Sequence, residues 1–355
     1  MVEWKKLEDL LDFEQPTSYL VKSTEYDDSY DVPVLTAGQS LLLGYTNETE
    51  GIYKANKDNP TIIFDDFTTS FHWIDYNFKV KSSAMKMLRP KDDVNFRFIY
   101  YSMCGINFVP GGHQRHWISK YSQFEIPVPS ISEQERIVGI LDTFTAAIDN
   151  IKEQIALRRK QYEYYRDQLL DLEGKPGVEI GDIALLVKER IDASKLNSEN
   201  YTSVENLLKD KAGRKDAENI PTEGNWIKYK KGDILIGNIR PYLRKIWLSD
   251  REGGTNGDVI VVRCNGSILP RYLFFALSSE KFFVYYNQSL KDGKMPRGEK
   301  SRVLSYIINV PSLQEQQRIV SILDTFEASI SNLEAQLKQR EKQYEYYREK
   351  LLTFE

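Results

Sequence analysis

A chain of 355 residues with 41% hydrophobic and 28% charged residues can form two or three folded domains and is not typical of disorder. The formal net charge of -4 does not indicate a generally basic, nucleic-acid-binding protein, although residues 226–251 and 291–302 are locally basic. Apolar runs stay below the roughly 18 residues of a membrane span, and the N-terminal segment is too charged for a signal peptide. Cys104 and Cys264 lie in separate halves without a disulfide pattern, so we expect a cytoplasmic protein.

Residues 1–125 have the pattern of a mixed α/β domain. The runs PTIIFDDF and SAMKML are apolar and bounded by turn formers, which predicts strands, whereas VNFRFIYYSM predicts a helix. The segment GGHQRHWISK then places polar and basic residues beside a glycine pair. Its candidate contact residues are His113, Gln114, Arg115, His116 and Lys120.

Residues 126–173 predict a long helix. Pro129 precedes it, Ser130 can cap its first turn, and Glu133 follows with capping-box spacing. Apolar and aromatic residues then recur at alternating steps of three and four, which is the heptad pattern of a coiled coil. One polar position, an arginine, can stack on neighbouring tyrosines. The seam consists of Leu141, Phe144, Ile148, Ile151, Ile155, Arg158, Tyr162, Tyr165 and Leu169.

Residues 174–307 form a second mixed α/β segment. It begins with GKPGVEIGD, whose glycines and proline indicate a linker. GDILIGNI and VIVVRC predict strands, and LPRYLFFALSS predicts a helix. Two further stretches, KYKKGDILIGNIRPYLRKIWLSDR and KDGKMPRGEKSR, combine basic residues with aromatic residues or glycines. Their candidate contact residues are Arg240, Arg244, Lys245, Lys294, Arg297, Lys300 and Arg302.

Residues 308–355 repeat the long helix. Aligned without gaps on residues 126–173, they are identical at roughly 29 of 48 positions, with a shift of about 182 residues. This duplication predicts two tandem modules. The second seam consists of Leu323, Phe326, Ile330, Leu333, Leu337, Arg340, Tyr344, Tyr347 and Leu351.

A helix of about 40 residues, about 60 Å long, cannot leave such a seam uncovered. Because two similar seams of equal length occur in one chain, we expect them to pair with each other within the molecule. The intervening segment must bring the chain back, so the predicted direction is antiparallel. The alternative is that each seam pairs with a second molecule.

The sequence lacks familiar catalytic patterns. There is no P-loop, dinucleotide fingerprint or GxSxG motif. His113 and His116 have HxxH spacing, but no third ligand accompanies them, so we predict no metal site. We expect neither enzymatic activity nor a cofactor in this chain alone.

The basic loops favour DNA as a ligand. Arginine and glutamine can pair with the edges of guanine and adenine, whereas lysines more often contact phosphates. A single surface arginine or lysine carries little weight, because such residues are common on protein surfaces. Two such loops at equivalent positions in two modules are stronger grounds for predicting DNA binding.

The stretches IPVPSISEQERIVGILD and VPSLQEQQRIVSILD closely resemble the conserved regions of the specificity (S) subunit of Type I restriction-modification systems. GDILIGNIRPYLRKIWLSDREGGTNGDVIVVR and DNPTIIFDDFTTSFHWIDYNFKVKSSAMKML resemble its target recognition domains, and Thr69 and His72 in the latter join the DNA-binding candidates. The resemblance covers essentially the whole chain. It implies an α+β protein with two globular α/β target recognition domains, residues 1–125 and 174–307. Two conserved helices, residues 126–173 and 308–355, would separate them and form an intramolecular antiparallel coiled coil.

The resemblance also implies partners. Each module would read half of a bipartite site in double-stranded DNA, with half-site centres about 10 bp apart. The paired helices would fix that separation and dock two methyltransferase (modification) subunits, which restriction/translocase subunits join for cleavage. S-adenosylmethionine, ATP and Mg would belong to those partners.

Two other hypotheses remain. The chain could be a coiled-coil protein-interaction scaffold with no DNA sequence specificity, which predicts no salt-sensitive binding to duplex DNA. It could also be a self-contained enzyme, such as a fused nuclease or methyltransferase, although the missing motifs disfavour this.

Overall fold

The computed structural model describes residues 2–36, 41–91, 94–112, 114–171, 177–288, 290 and 295–354. The chain divides into two compact units: the first contains Met1–Lys152 and Ala335–Glu355, and the second contains Glu153–Glu334. Each unit therefore includes part of both long helices. Among the described residues, no helix is long and apolar enough to cross a membrane.

The first unit is built on a four-stranded antiparallel sheet of order β2-β8-β5-β6, beside a three-stranded sheet β4-β3-β7 and a two-stranded pair β1-β9. The helices wholly within it are α1 (Leu7–Leu10) and α2 (Phe96–Met103). Its strands are β1 (Glu3–Lys6), β2 (Leu11–Glu14), β3 (Val32–Leu35), β4 (Leu42–Thr46), β5 (Thr61–Asp65), β6 (Phe71–Ile74), β7 (Lys79–Val80), β8 (Met85–Pro90) and β9 (Glu125–Val128).

The second unit repeats this plan with sheets of order β11-β17-β14-β15, β12-β13-β16 and β10-β18. Its shorter helices are α4 (Ile180–Ile183), α5 (Pro270–Leu277), α6 (Glu280–Asn287) and α7 (Lys300–Leu304). Its strands are β10 (Gly177–Glu179), β11 (Ala184–Leu186), β12 (Arg190–Asp192), β13 (Asn225–Tyr229), β14 (Ile234–Gly237), β15 (Ile246–Leu248), β16 (Gly253–Thr255), β17 (Val259–Cys264) and β18 (Ile307–Asn309).

The predicted strands and helices of the globular segments are confirmed. The apolar runs around β5 and β14 form fully buried central strands, as a continuous hydrophobic pattern requires. The linker predicted at GKPGVEIGD is wrong for its described part, because β10 pairs antiparallel with β18 and α4 follows directly. A turn-like composition was outweighed there by backbone pairing with a distant segment.

The long helices are α3 (Ile131–Leu170) and α8 (Leu313–Leu352), each of 40 residues. Their starts are fixed by equivalent glutamines. In the first unit, buried Gln134 accepts a hydrogen bond from the backbone N–H of Asn95 and donates one to the Pro129 carbonyl. In the second, buried Gln316 does the same with Leu269 and Pro311.

Antiparallel pairing of α3 and α8 is confirmed by contacts within each unit. In the first unit, the ring of Phe144 stacks on that of Tyr347, and Lys152 lies 3.9 Å from Glu341. In the second unit, Tyr165 stacks on Phe326 and Arg159 lies 2.6 Å from Glu334. Residues early in α3 thus contact residues late in α8, and residues late in α3 contact residues early in α8.

The seam residues differ in burial. The guanidinium of Arg158 lies 5.9 Å from the ring centre of Phe326, and the Tyr162 hydroxyl donates to Glu327. Tyr165, Arg340 and Tyr347 are exposed. Buried seam residues are Leu141, Ile148, Ile155 and Leu323; half-buried ones are Phe144, Ile151, Arg158, Tyr162, Leu169, Phe326, Ile330, Leu333, Leu337, Tyr344 and Leu351.

Candidate nucleic-acid interface

In the second unit, three loops meet at one edge of the main sheet. Strand β14 ends opposite the start of β17, and the backbone N–H of Asn238 donates to the Asp258 carbonyl across that gap. The loop before α7 joins them, because the Gly298 N–H donates to the Asn238 carbonyl at 3.2 Å. The Arg240 N–H also donates to the carbonyl of Pro296. These bonds hold residues 238–240, 256–258 and 295–300 together.

Basic side chains cover this edge. Arg240, Arg297 and Lys300 are exposed. The Arg297 Nε lies 3.2 Å from Asp258 Oδ1, and Lys300 donates from Nζ to the Gly257 carbonyl. An exposed ion pair of this kind contributes only about 0–1 kcal/mol, so a phosphate or a base edge can replace the carboxylate at little cost. We call Arg240, Arg297 and Lys300 the second-unit basic cluster.

Other candidates of the second unit are engaged within the protein. Lys245 donates from Nζ to the Val204 carbonyl. Burial, and to a lesser extent the positive charge of Lys209, lowers the pKa of Lys245. Arg302 donates to the Tyr285 carbonyl and lies 4.2 Å over the Tyr285 ring.

Arg244 occupies a special backbone position. It and Arg240 have φ values of 51° and 50°, in the left-handed region that few side chains adopt. They flank the turn at residues 241–243, and the Arg244 guanidinium lies 3.1 Å from Glu280. Arg240, a member of the cluster, directly precedes this turn, and the ring of Tyr242 within the turn is exposed. Lys294 lies outside the described residues.

The first unit has the same construction. Strand β5 ends opposite the start of β8, and Asp66 donates from its N–H to the Ala84 carbonyl. The His116 N–H donates to the Asp66 carbonyl at 2.9 Å, as Gly298 does to Asn238. The loop of residues 114–120 is therefore the counterpart of the loop before α7.

Three predicted residues of this loop face solvent, and one does not. Gln114, Arg115 and Lys120 are exposed. The His116 side chain is fully buried, with its ring 5.5 Å from that of Phe108. A buried imidazole cannot reach a base, so we do not keep His116 among the contact residues. His113 lies outside the described residues.

The two candidates near β6 have supporting positions. Thr69 is buried at a φ of 58°, and its hydroxyl donates to the Thr68 carbonyl. His72 is half-buried in β6, and burial lowers its pKa, which favours the neutral ring. Phe67 in the same turn is exposed but had not been predicted. The signal for it in the sequence was an aromatic residue two positions after the end of a buried strand.

Comparison with known proteins agrees with this architecture. A family model described as the type I restriction modification DNA specificity domain matches residues 1–158 and again residues 175–342. The chain belongs to this family. It is 37% identical to the EcoR124I/EcoR124II specificity subunit of Escherichia coli, over 99% of this chain and 94% of that protein. It is 29% identical to a putative type I specificity subunit of Haemophilus influenzae, over 99% and 96%.

A solved structure shares the fold. The type I restriction-modification S subunit from M. genitalium aligns with a TM-score of 0.63 at 16% identity, covering 100% of this chain and 97% of that one. At that identity the likeness supports the fold alone. It agrees with a family member built from two repeated domains and two long helices.

Proposed function

We propose that this chain is the DNA-recognition subunit of a type I restriction-modification complex and that each unit reads one half of a bipartite site. One observation carries the proposal. Arg115 and Arg297, which are 182 residues apart like the two repeats, are both exposed on a loop hydrogen-bonded to the end of the central strand. Arginine in such a loop can pair with O6 and N7 of guanine.

The described side chains divide by chemistry. We assign base reading to Gln114, Arg115 and Arg297, because their side chains can form paired hydrogen bonds with base edges. Lys120, Arg240 and Lys300 are suited to phosphates, which position the protein on the duplex. His113 and Lys294 remain candidates from the sequence.

The paired helices present two equivalent docking surfaces, one in each unit. Phe144 with Tyr347, and Tyr165 with Phe326, are the same pair of repeat positions in the two units. Equivalent surfaces suit two copies of one partner, and we assign them to two methyltransferase subunits, with restriction/translocase subunits completing the complex. S-adenosylmethionine, ATP and Mg would be bound by those partners, and this chain would carry out no catalysis.

The test is methyl transfer by the reconstituted complex. The full chain, mixed with its methyltransferase partner and labelled S-adenosylmethionine, is offered a library of duplexes. We expect methylation confined to one bipartite sequence, and duplex binding that weakens steeply with salt. Methylation without sequence preference, or no salt-sensitive duplex binding, would favour the interaction scaffold.

A further inference from the structure

A buried ion pair lies beneath the recognition loop of the first unit. Asp66 follows β5 and Lys86 lies in β8, and their side chains are 1% and 2% exposed. Asp66 Oδ2 is 3.2 Å from Lys86 Nζ, which itself lies 4.7 Å from the ring centre of Phe13. Charges so deeply buried are rare unless each has a partner.

The other oxygen of this carboxylate holds the loop. Asp66 Oδ1 accepts hydrogen bonds from the backbone N–H groups of Trp117, at 2.8 Å, and His116, at 3.1 Å. These two residues directly follow Arg115. One carboxylate therefore fixes the backbone next to the arginine assigned to base reading, and hydrogen bonds to a charged acceptor are among the stronger ones.

The second unit lacks this device at the equivalent place. The strand register that sets Phe64 opposite Lys86 sets Ile236 opposite Ile260 in the second unit. Asn238 takes the place of Asp66, and its side-chain oxygen accepts from the Tyr286 hydroxyl. Its loop is held by the backbone bond from Gly298 to Asn238, whose counterpart in the first unit is the bond from His116 to the Asp66 carbonyl. The ion pair is thus an addition to the common plan.

We propose that Asp66, neutralised by Lys86, is a positioning residue for sequence reading by the first unit. It fixes the orientation of the loop carrying Gln114 and Arg115 and itself touches no base. This inference rests on the proposed function. A loop whose backbone is already fixed loses less conformational freedom when DNA binds.

The test uses paired variants of the full chain, because removing one ion alone would leave the other buried without a partner. Asp66→Ala/Lys86→Met removes both charges and the acceptor. Asp66→Asn/Lys86→Met removes both charges but keeps an oxygen that can accept from Trp117. Discrimination at each half-site is measured by methylation of duplexes with single base changes, in complex with the methyltransferase partner. Hydrogen exchange of the Trp117 amide is followed in the same proteins.

For Asp66→Ala/Lys86→Met we expect about fivefold or greater loss of discrimination at one half-site, because a paired arginine–guanine contact provides about 5- to 150-fold discrimination. The other half-site should be unchanged, and the Trp117 amide should exchange at least about tenfold faster. Asp66→Asn/Lys86→Met should stay near the parent protein in both measurements. Unchanged discrimination in the alanine variant, or equal loss in both variants, would overturn the inference. If the parent protein itself shows no sequence preference, the proposed function fails. Separately, unchanged hydrogen exchange of the Trp117 amide in the alanine variant would show that Asp66 does not hold the loop.

Discussion

The ring of Phe144 stacks on the ring of Tyr347, with centroids 5.1 Å apart and planes inclined by 25°. Phe326 and Tyr165, which stand at the corresponding repeat positions, stack in the second unit at 5.6 Å and 27°. The string KQYEYYR, which occurs at residues 160–166 and again at 342–348, therefore has a structural role in both copies. One of its tyrosines covers the phenylalanine of the other helix.

Removing this stack should weaken the first unit. A double-mutant cycle of Phe144→Ala and Tyr347→Ala should give a coupling of about 0.5–1.5 kcal/mol in the free energy of unfolding, as aromatic pairs do. Denaturant titration provides the measurement. Combining Phe144→Ala with Tyr164→Ala, whose exposed ring contacts Tyr165, should be additive within about 0.5 kcal/mol. A coupling near zero in the first cycle would contradict a stabilising stack.

Substitution of the two arginines should have separable effects. Arg297→Ala should relax sequence preference at one half-site by about 1–3 kcal/mol of discrimination, and Arg115→Ala should do the same at the other half-site only. Methylation of single-substitution duplexes measures both. Lys300→Ala is the matched control and should weaken binding about equally on all sequences. Uniform loss with Arg297→Ala would make that residue a phosphate contact.

Shortening both long helices should change the spacer. Both α3 and α8 run from one unit into the other, so deletion of residues 152–158 together with 334–340 removes one heptad from each. A heptad is about 10 Å of helix, close to three base-pair steps. We expect the preferred spacer to change by about 3 bp in a methylation assay on spacer-length libraries. An unchanged spacer would refute a ruler, and deletion from α3 alone should instead destabilise the pairing.

The two cysteines should be unreactive in the folded protein. Burial raises the pKa of Cys104 to about 11 and that of Cys264 to about 12. Thiolate is the nucleophile, and a pKa above the assay pH leaves the thiol protonated. At pH 8 we expect alkylation by iodoacetamide to be at least about 100-fold slower than for a free cysteine. Protein in concentrated guanidinium chloride is the control and should react at the ordinary rate.

Local and repeated patterns made much of the fold predictable. β5 and β14 are short apolar runs between turn formers, and the helix seams follow a heptad period that requires a partner. The duplication, with roughly 29 of 48 positions identical, identified that partner. These features depend on residues close in sequence or on self-similarity within the chain.

What could not be predicted depends on distant contacts. His116 has a loop-like setting but is buried, because Asp66, 50 residues earlier, fixes its backbone. Gly177 belongs to a strand because it pairs with Asn309. Composition and periodicity carry no information about such pairings.

Two ion pairs between the long helices are not symmetric, although the two helices are copies of one repeat. Lys152 with Glu341, and Arg159 with Glu334, both take the cation from α3 and the carboxylate from α8. Two copies of α3 in the same antiparallel register would set lysine against arginine, and two copies of α8 would set glutamate against glutamate. These four side chains thus favour pairing of α3 with α8 over pairing of either helix with a second copy of itself.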